Sequence, residues 1–203
     1  MSSNQSPYEE LYDRVNKTTK NRFHAQRRLD HHNWASLMTI TLFSICLLVL
    51  PLAKAFSIDL NASDKVIDFV QSLLAIVILV VSVILSMANF AVRAEKVHSC
   101  GMELNSLLRR IYPKKASKSD ADDQYEEFSK EYDDILYRYE NHKKIDHMHT
   151  VLAMSNYYKP SWWYRPVVTI RYFLEFWTYA TLIALVLIWV AYITLPIFKA
   201  VTP

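Results

Sequence analysis

Residues 69–92 read FVQSLLAIVILVVSVILSMANFAV, a run with no charged side chain, closed off by Asp68 on one side and Arg93 on the other. A helix rising about 1.5 Å per residue needs only about 20 such residues to cross the hydrocarbon of a bilayer, so this stretch is long enough to span. Most of its side chains are Leu, Ile, Val or Phe, each favouring insertion at mid-membrane by roughly 0.3 to 0.6 kcal/mol, which outweighs Gln71 and Asn89 near its ends. A soluble core helix of this length would carry a polar side, and this one has almost none.

The rest of the chain follows the same division. Hydrophobic residues make up 52% of the 203 positions while charged residues still make up 21%, and the two are segregated along the sequence. Two further uncharged runs, 34–53 and 176–198, bring the predicted spans to three. The first is preceded by a polar segment and followed by no small-residue cleavage site, so it reads as an anchor and not as a removable signal. Cys46 falls inside a span and Cys100 beyond another, which leaves no plausible disulfide. The fold class expected is an all-α membrane protein: a transmembrane helical hairpin, a cytoplasmic helical stalk and a third, C-terminal transmembrane helix.

Orientation follows from the basic residues beside the spans. Six Lys and Arg precede residue 34, two lie in the loop 54–68, fourteen lie between residues 93 and 175, and one follows residue 198. The basic side should be cytoplasmic, which puts 1–33, 93–156 and the aromatic segment 157–175 inside, and the loop 54–68 and the tail 199–203 outside. Trp34, Trp162, Trp163 and Trp177 then fall near the inner boundary as an aromatic belt. Asn61-Ala62-Ser63 in the outer loop matches a glycosylation sequon, read here as chance.

Residues 1–7 are expected to be disordered. From Pro7 the apolar residues Tyr8, Leu11, Tyr12 and Val15 keep helical spacing, and the helix should continue, broken or not, into the first span. Arg22, Arg27, Arg28, His31 and His32 crowd its last turns and, with Arg93 at the second span, form an inner-boundary basic cluster. The plainest use is a positive anchor that fixes topology; paired histidines could instead sense pH.

Within the second span the polar residues share one helix face: Gln71, Ser82, Ser86, Asn89 and Arg93, with Ala75 and Ile78 at the same phase. Such a face could pack helix against helix through its small side chains. Alternatively it lines a water path in an assembly, with Ala75 and Ile78 as a dry constriction. One chain cannot enclose such a path, so a pore would have to be oligomeric.

Beyond Arg93 the helix is expected to run on, with Val97, Gly101, Leu104, Leu108 and Ile111 forming a heptad-like seam as far as Tyr112-Pro113. The loop that follows carries Lys114, Lys115 and Lys118 near Arg109 and Arg110, either a solvated charge run or a site for an anionic ligand or partner. From Tyr125, the residues Phe128, Tyr132, Ile135, Leu136 and Tyr139 predict a second cytoplasmic helix packed on the stalk, extending towards Met154. His142, Asp146 and His149 sit at i, i+4 and i+7, one face that could offer metal ligands; a fourth ligand is missing and Lys143 and Lys144 intrude, so no metal and no cofactor is assigned. The segment YYKPSWWYRP reads as a rigid aromatic re-entry element suited to the headgroup zone. A single glycine in the chain excludes phosphate-cradling loops and argues against glycine-broken transporter helices, and no nucleophile constellation can be assembled, so the chain is not read as an enzyme.

The basic helix has the form RFxAxxRLxxHxxxS, carried by Arg22, Phe23, Ala25, Arg28, Leu29, His32 and Ser36. It is followed by Ala94-Glu95-Lys96-Val97-His98, by Glu103, Leu104, Asn105 and Leu107, and later by Tyr139-Glu140-Asn141-His142 with Ile145-Asp146. Over about residues 8 to 155 this resembles the SLATT family, two-span membrane proteins proposed as pore-forming effectors of bacterial conflict systems linked to nucleotide second-messenger synthases or reverse transcriptases. The resemblance implies that the hairpin is the effector and that the cytoplasmic helices hold it shut until a partner signals; the third span departs from the two-span pattern. The expectation is an oligomeric effector that permeabilises the bacterial inner membrane in anti-phage defence or abortive infection. Its partners would be the bilayer, further copies of itself and a nucleotide or protein signal, with no direct nucleic acid. The alternative is a non-conducting structural or regulatory membrane subunit that binds a partner through the cytoplasmic helices.

Overall fold

Helix initiation at the N-terminal end follows from local chemistry. Pro7 has the fixed φ that suits a first helical position and lacks an N–H that would go unpaired there. The Ser6 carbonyl and Oγ take the Glu9 N–H at 2.9 and 3.3 Å, and Glu9 and Glu10 place negative charge in the first turn, where the helix dipole favours it. The structure is a computed structural model that describes residues 6–58, 60–117 and 120–201. In it one unbroken helix, α1 (Pro7–Ala55), carries the basic segment and the whole of the first apolar run. Pro51 lies in its last turns and, lacking an N–H, leaves the Leu47 carbonyl without its helical bond, yet the helix runs on to Ala55.

After α1 come α2 (Asp64–Ala88), α3 (Phe90–Ala116), α4 (Asp123–Arg138), α5 (Lys144–Ala153), α6 (Ser155–Tyr158), α7 (Tyr164–Leu174) and α8 (Trp177–Val201). No strand occurs among the described residues. Three stretches are long and apolar enough to cross a membrane, one in α1, one starting in α2 and one in α8. The chain is an all-α membrane protein, as the hydropathy required.

It divides into two compact units, Met1–His31 with Phe90–Tyr172, and His32–Asn89 with Phe173–Pro203. In the first, Tyr8, Leu11 and Val15 of α1 meet Cys100, Leu104, Leu107, Leu108 and Ile111 of α3 and Phe128, Tyr132 and Ile135 of α4 in one buried cluster. Each aliphatic side chain so buried contributes roughly 1.5 to 3 kcal/mol, which makes this cluster the main source of the unit's cohesion. Ala25 and Leu29 of α1 pack on Ala94 and Val97 of α3, and Ile145 and Met148 of α5 pack on Val168 of α7. The predicted seam on α3 is therefore the buried one. Gly101, the one glycine, lies on it because an added Cβ would stand 2.9 Å from Cε1 of Phe23.

In the second unit Phe43, Cys46 and Leu74 form a core with Leu182, Val186 and Val190 of α8 packed on it, and Leu50, Ile67 and Ile193 form another. Little of α2 and α8 is otherwise covered. Only 6% of the most apolar window is buried in the α2 stretch and in α8, and Leu48, Leu79, Met87 and Ile188 expose 66 to 82% of their surface. In water a continuous apolar surface of this kind would drive association; against lipid tails it costs nothing.

Local structure departs from the sequence reading in four places. The second span and the stalk are not one helix: Asn89 takes a left-handed conformation (φ 50°, ψ 42°), its N–H closing on the Leu85 carbonyl, and α3 restarts at Phe90. Asn is one of the few side chains that adopts this conformation without large cost. The stalk does not end at Pro113 but runs one further turn to Ala116, although Pro113 forgoes the bond to the Arg109 carbonyl. Residues 125–154 are two helices, because Tyr139 returns to extended backbone and Asp146 recaps the chain by accepting the Lys143 N–H at 2.8 Å. Finally, the aromatic segment is mostly helical, α6 and α7, with the turn at Lys159 (φ 46°) ahead of Pro160.

Candidate functional site

On α1 the buried stripe set by Tyr8, Leu11 and Val15 continues in steps of three and four through Thr19, Arg22, Ala25, Leu29, His32, Ser36 and Thr39 to Phe43. Its phase does not change where the composition turns polar. Several residues of the basic cluster therefore point inward, not towards lipid headgroups. Arg22 and Arg28 are 2% and 4% exposed. Arg28 grips Asp146 of α5 through both carboxylate oxygens, at 2.9 and 3.1 Å, and Asp146 is buried in turn. A bidentate guanidinium–carboxylate pair in this geometry fixes the orientation of both side chains as well as their separation.

Arg22 donates to the Glu140 carbonyl, and Arg93 takes the Glu140 carboxylate at 3.0 and 3.2 Å. Asn21 Nδ2 donates to His142 Nε2 at 2.9 Å. The connection between α4 and α5 is thus held by α1 from one side and by α3 from the other. Of the six residues expected as an inner-boundary cluster, Arg22, Arg28 and Arg93 act within this clasp. Arg27 and His31 stay exposed. His32 is buried in the second unit, stacked on Phe176 at 4.4 Å, with Glu175 at 3.4 Å.

The residues weighed as metal ligands are not brought together as a ligand set. Asp146 is spent on Arg28 and the Lys143 N–H, while His142 pairs with Asn21. His149 instead stacks on His24 at 5.5 Å and meets the edge of Tyr172 at 5.0 Å. No group of three or more possible ligands occurs among the described residues. Burial, chiefly, and then the Arg22 charge hold His142 below the usual imidazole range, and burial also lowers His149.

The basic loop is largely neutralised by carboxylates. Arg110 meets Glu131 at 2.7 Å, Lys114 meets Asp122 at 3.0 Å and Lys115 meets Asp13 at 3.6 Å. Arg109 is exposed, and Lys118 lies outside the described residues. Asp122 also takes the Tyr8 hydroxyl; that bond and Lys114 hold its carboxyl down to about 2.

On α2 the polar face straddles the edge of the packed side. Gln71, Ile78 and Ser82 are partly covered within their unit, whereas Ala75, Ser86 and Asn89 are exposed. The buried positions Ile67 and Leu74 lie on the neighbouring phase. One flank of the predicted stripe therefore packs on its own bundle and the other is open.

The sequence reading missed the pairing of Arg28 with Asp146, the part played by Asn21 and Glu140, and the stacking of His24 on His149. One signal was available: extending the Tyr8–Leu11–Val15 phase by heptad steps places Arg22 and His32 on the buried face. The identity of their partners was not readable.

Three helices fit for a bilayer, joined to a helical unit that clasps two of their stems, define a membrane protein with a built-in polar domain. Residues 4–195 match the SMODS and SLOG-associating 2TM effector domain family 5, and the chain belongs to that family. The family description counts two transmembrane segments, while three stretches here are apolar and long enough. No curated protein and no solved structure matches the chain.

Proposed function

We propose that this protein is an oligomeric effector that permeabilises the bacterial inner membrane during anti-phage defence or abortive infection. The N-terminus and polar unit would be cytoplasmic and the C-terminus outside. The observation that carries the reading is the open flank of α2: Ala75, Ser86 and Asn89 stay exposed on a helix otherwise covered by lipid-compatible side chains. Membership of an effector-domain family supports it. Polar and small groups facing lipid gain little there, but facing another copy they pack closely or hold water.

In the resting state the clasp of Arg22, Arg28 and Arg93 on α5 and the α4–α5 connection holds the stems of α1 and α3 together. A signal from a nucleotide or from a nucleotidyltransferase or reverse-transcriptase partner would loosen it and let α2 flanks associate.

Carboxyfluorescein release from liposomes reconstituted with purified protein tests this. Release is expected to rise more steeply than the first power of protein density, to increase in Asp146→Asn and to change its ion preference in Ser86→Lys. Absence of release at every density, in wild type and Asp146→Asn alike, would leave the non-conducting regulatory subunit as the function.

A further inference from the structure

Beside the clasp, His24, Arg27 and His31 of α1, His149 of α5 and Tyr172 of α7 line a recess of about 240 Å³. The geometry points to this recess as a binding site for a single phosphate group, held by Arg27 together with the imidazoles of His24 and His31. No carboxylate lines it. Two acids of these helices are engaged elsewhere, Asp146 by Arg28 and Asp30 by Gln26 at 2.8 Å. Arg22 and Arg28, the other guanidiniums of this stretch, are buried and bonded. Arg27 is the exception. It is exposed, and its hydrogen bonds run to the Phe23 carbonyl and to His24 Nδ1, both at 3.4 Å, the long end of the range. A guanidinium so weakly engaged keeps its fork for a ligand, and phosphate oxygens match that fork.

Arg27 donating to His24 Nδ1 leaves the His24 proton on Nε2 as a further donor. His31 shares a 2.5 Å hydrogen bond with Tyr172, which fixes both at the rim. Burial, chiefly, and then the Arg27 charge push His24 down to about 4, against the opposing pull of Asp146. A bound anion would offset the Arg27 part of this.

Size selects the ligand class. Pockets for drug-sized molecules run from about 300 Å³ upward, so this one admits a phosphate and its immediate ester, with the remainder outside. Two sources share that chemistry, a lipid headgroup and a soluble phosphate ester. His31 stands three residues and Arg27 seven residues ahead of Trp34 on one helix, or about 4.5 and 10 Å along its axis. The headgroup zone on each side of the hydrocarbon is about 5 to 8 Å deep. His31 falls within that depth and Arg27 just beyond it, so a lipid phosphate would meet the recess at the outer edge of the zone. The site does not depend on whether the assembly conducts.

The test is histidine NMR on full-length protein in maltoside micelles, which contain no phosphate. Inorganic phosphate, short-chain phosphatidic acid and, as a phosphate-free control, short-chain diacylglycerol are titrated in turn. Saturable shifts of His24, His31 and His149 are expected with the two phosphates, with His98 and His147 unmoved, and with a rise in the His24 pKa at saturation. Arg27→Gln, at an exposed position, should weaken binding at least tenfold. Half-saturation by phosphatidic acid at tenfold lower concentration than by phosphate assigns the lipid as source; comparable or tighter binding of inorganic phosphate assigns a soluble ester. The inference is overturned if neither phosphate gives a saturable shift, if diacylglycerol shifts the same signals equally, or if Arg27→Gln binds like wild type. Liposome leakage is a separate readout, so failure of the pore reading leaves this result standing.

Discussion

Replacing Asp146 by Asn keeps the shape of the side chain and removes its charge. In the native protein the carboxylate accepts two hydrogen bonds from Arg28, at 2.9 and 3.1 Å, and a third from the Lys143 N–H at 2.8 Å. The Arg28 and Asp146 side chains are 5% and 1% exposed. Removing one member of a buried pair costs about 3 to 5 kcal/mol, because the surviving charge keeps its desolvation penalty. An amide oxygen still accepts one bond, so we take the lower end, about 3 kcal/mol. At about 1.4 kcal/mol per tenfold, local opening of α5 becomes roughly a hundredfold more frequent. Hydrogen–deuterium exchange of the backbone amides at 148–152 measures this directly, with α8 as internal reference. The double variant Arg28→Met with Asp146→Leu, which replaces the pair by apolar side chains, should restore exchange to within tenfold of wild type. A change of less than threefold in Asp146→Asn would refute the argument, since it would mean that water already reaches the pair.

Three other outcomes follow from the packing and the titrating groups. Gly101→Ala gains about 0.5 to 1 kcal/mol in helix propensity but forces a Cβ against Phe23, an overpacking cost of about 1 to 3 kcal/mol; thermal unfolding in detergent should show net destabilisation that turns to stabilisation in a Phe23→Leu background. His24 is held neutral with a pKa near 4, below its unfolded value, so its contribution is complete above the unfolded pKa and is lost as pH falls through about 4. Because the side chain is only partly buried, the loss is about 1 to 2 kcal/mol after discounting for solvent. Unfolding at pH 7 and pH 4 should differ less in His24→Gln than in wild type, whereas Asp122, lowered to about 2 by Tyr8 and Lys114, loses its contribution only below its unfolded pKa. Asn89→Val places a β-branched side chain in a left-handed conformation, at a cost of about 1 to 2 kcal/mol. Asn89→Gly should be within a few tenths of wild type in the same unfolding measurement, and equal stability of the two variants would show that the turn at residue 89 is not kept.

The polar unit and the spans were not equally legible. The α3 seam and the apolar face of α4 could be read from spacing alone, because a helix buried on one side repeats its apolar residues every three or four positions. The break at Asn89 could not, since the residues on both sides of it, from Gln71 to Cys100, suit a helix and a single left-handed residue leaves no periodic trace. Nor could the fate of the basic residues. Arg22 and Arg28 have the composition of a topology anchor; position on the stripe begun by Tyr8 marks Arg22 as inward, and nothing in the spacing marks Arg28.

By itself the sequence determined that this chain is helical and belongs in a membrane, because runs of uncharged residues longer than the hydrocarbon is thick leave no other stable placement. Hydropathy acts along the chain, and a string of residues records it fully. Pairing acts across the chain. That Asp146 answers Arg28 over more than a hundred residues, that Glu140 is shared by α1 and α3, and that His24 and Tyr172 wall one recess were settled only by the packing of helices whose own periodicities say which face is buried but not what it is buried against.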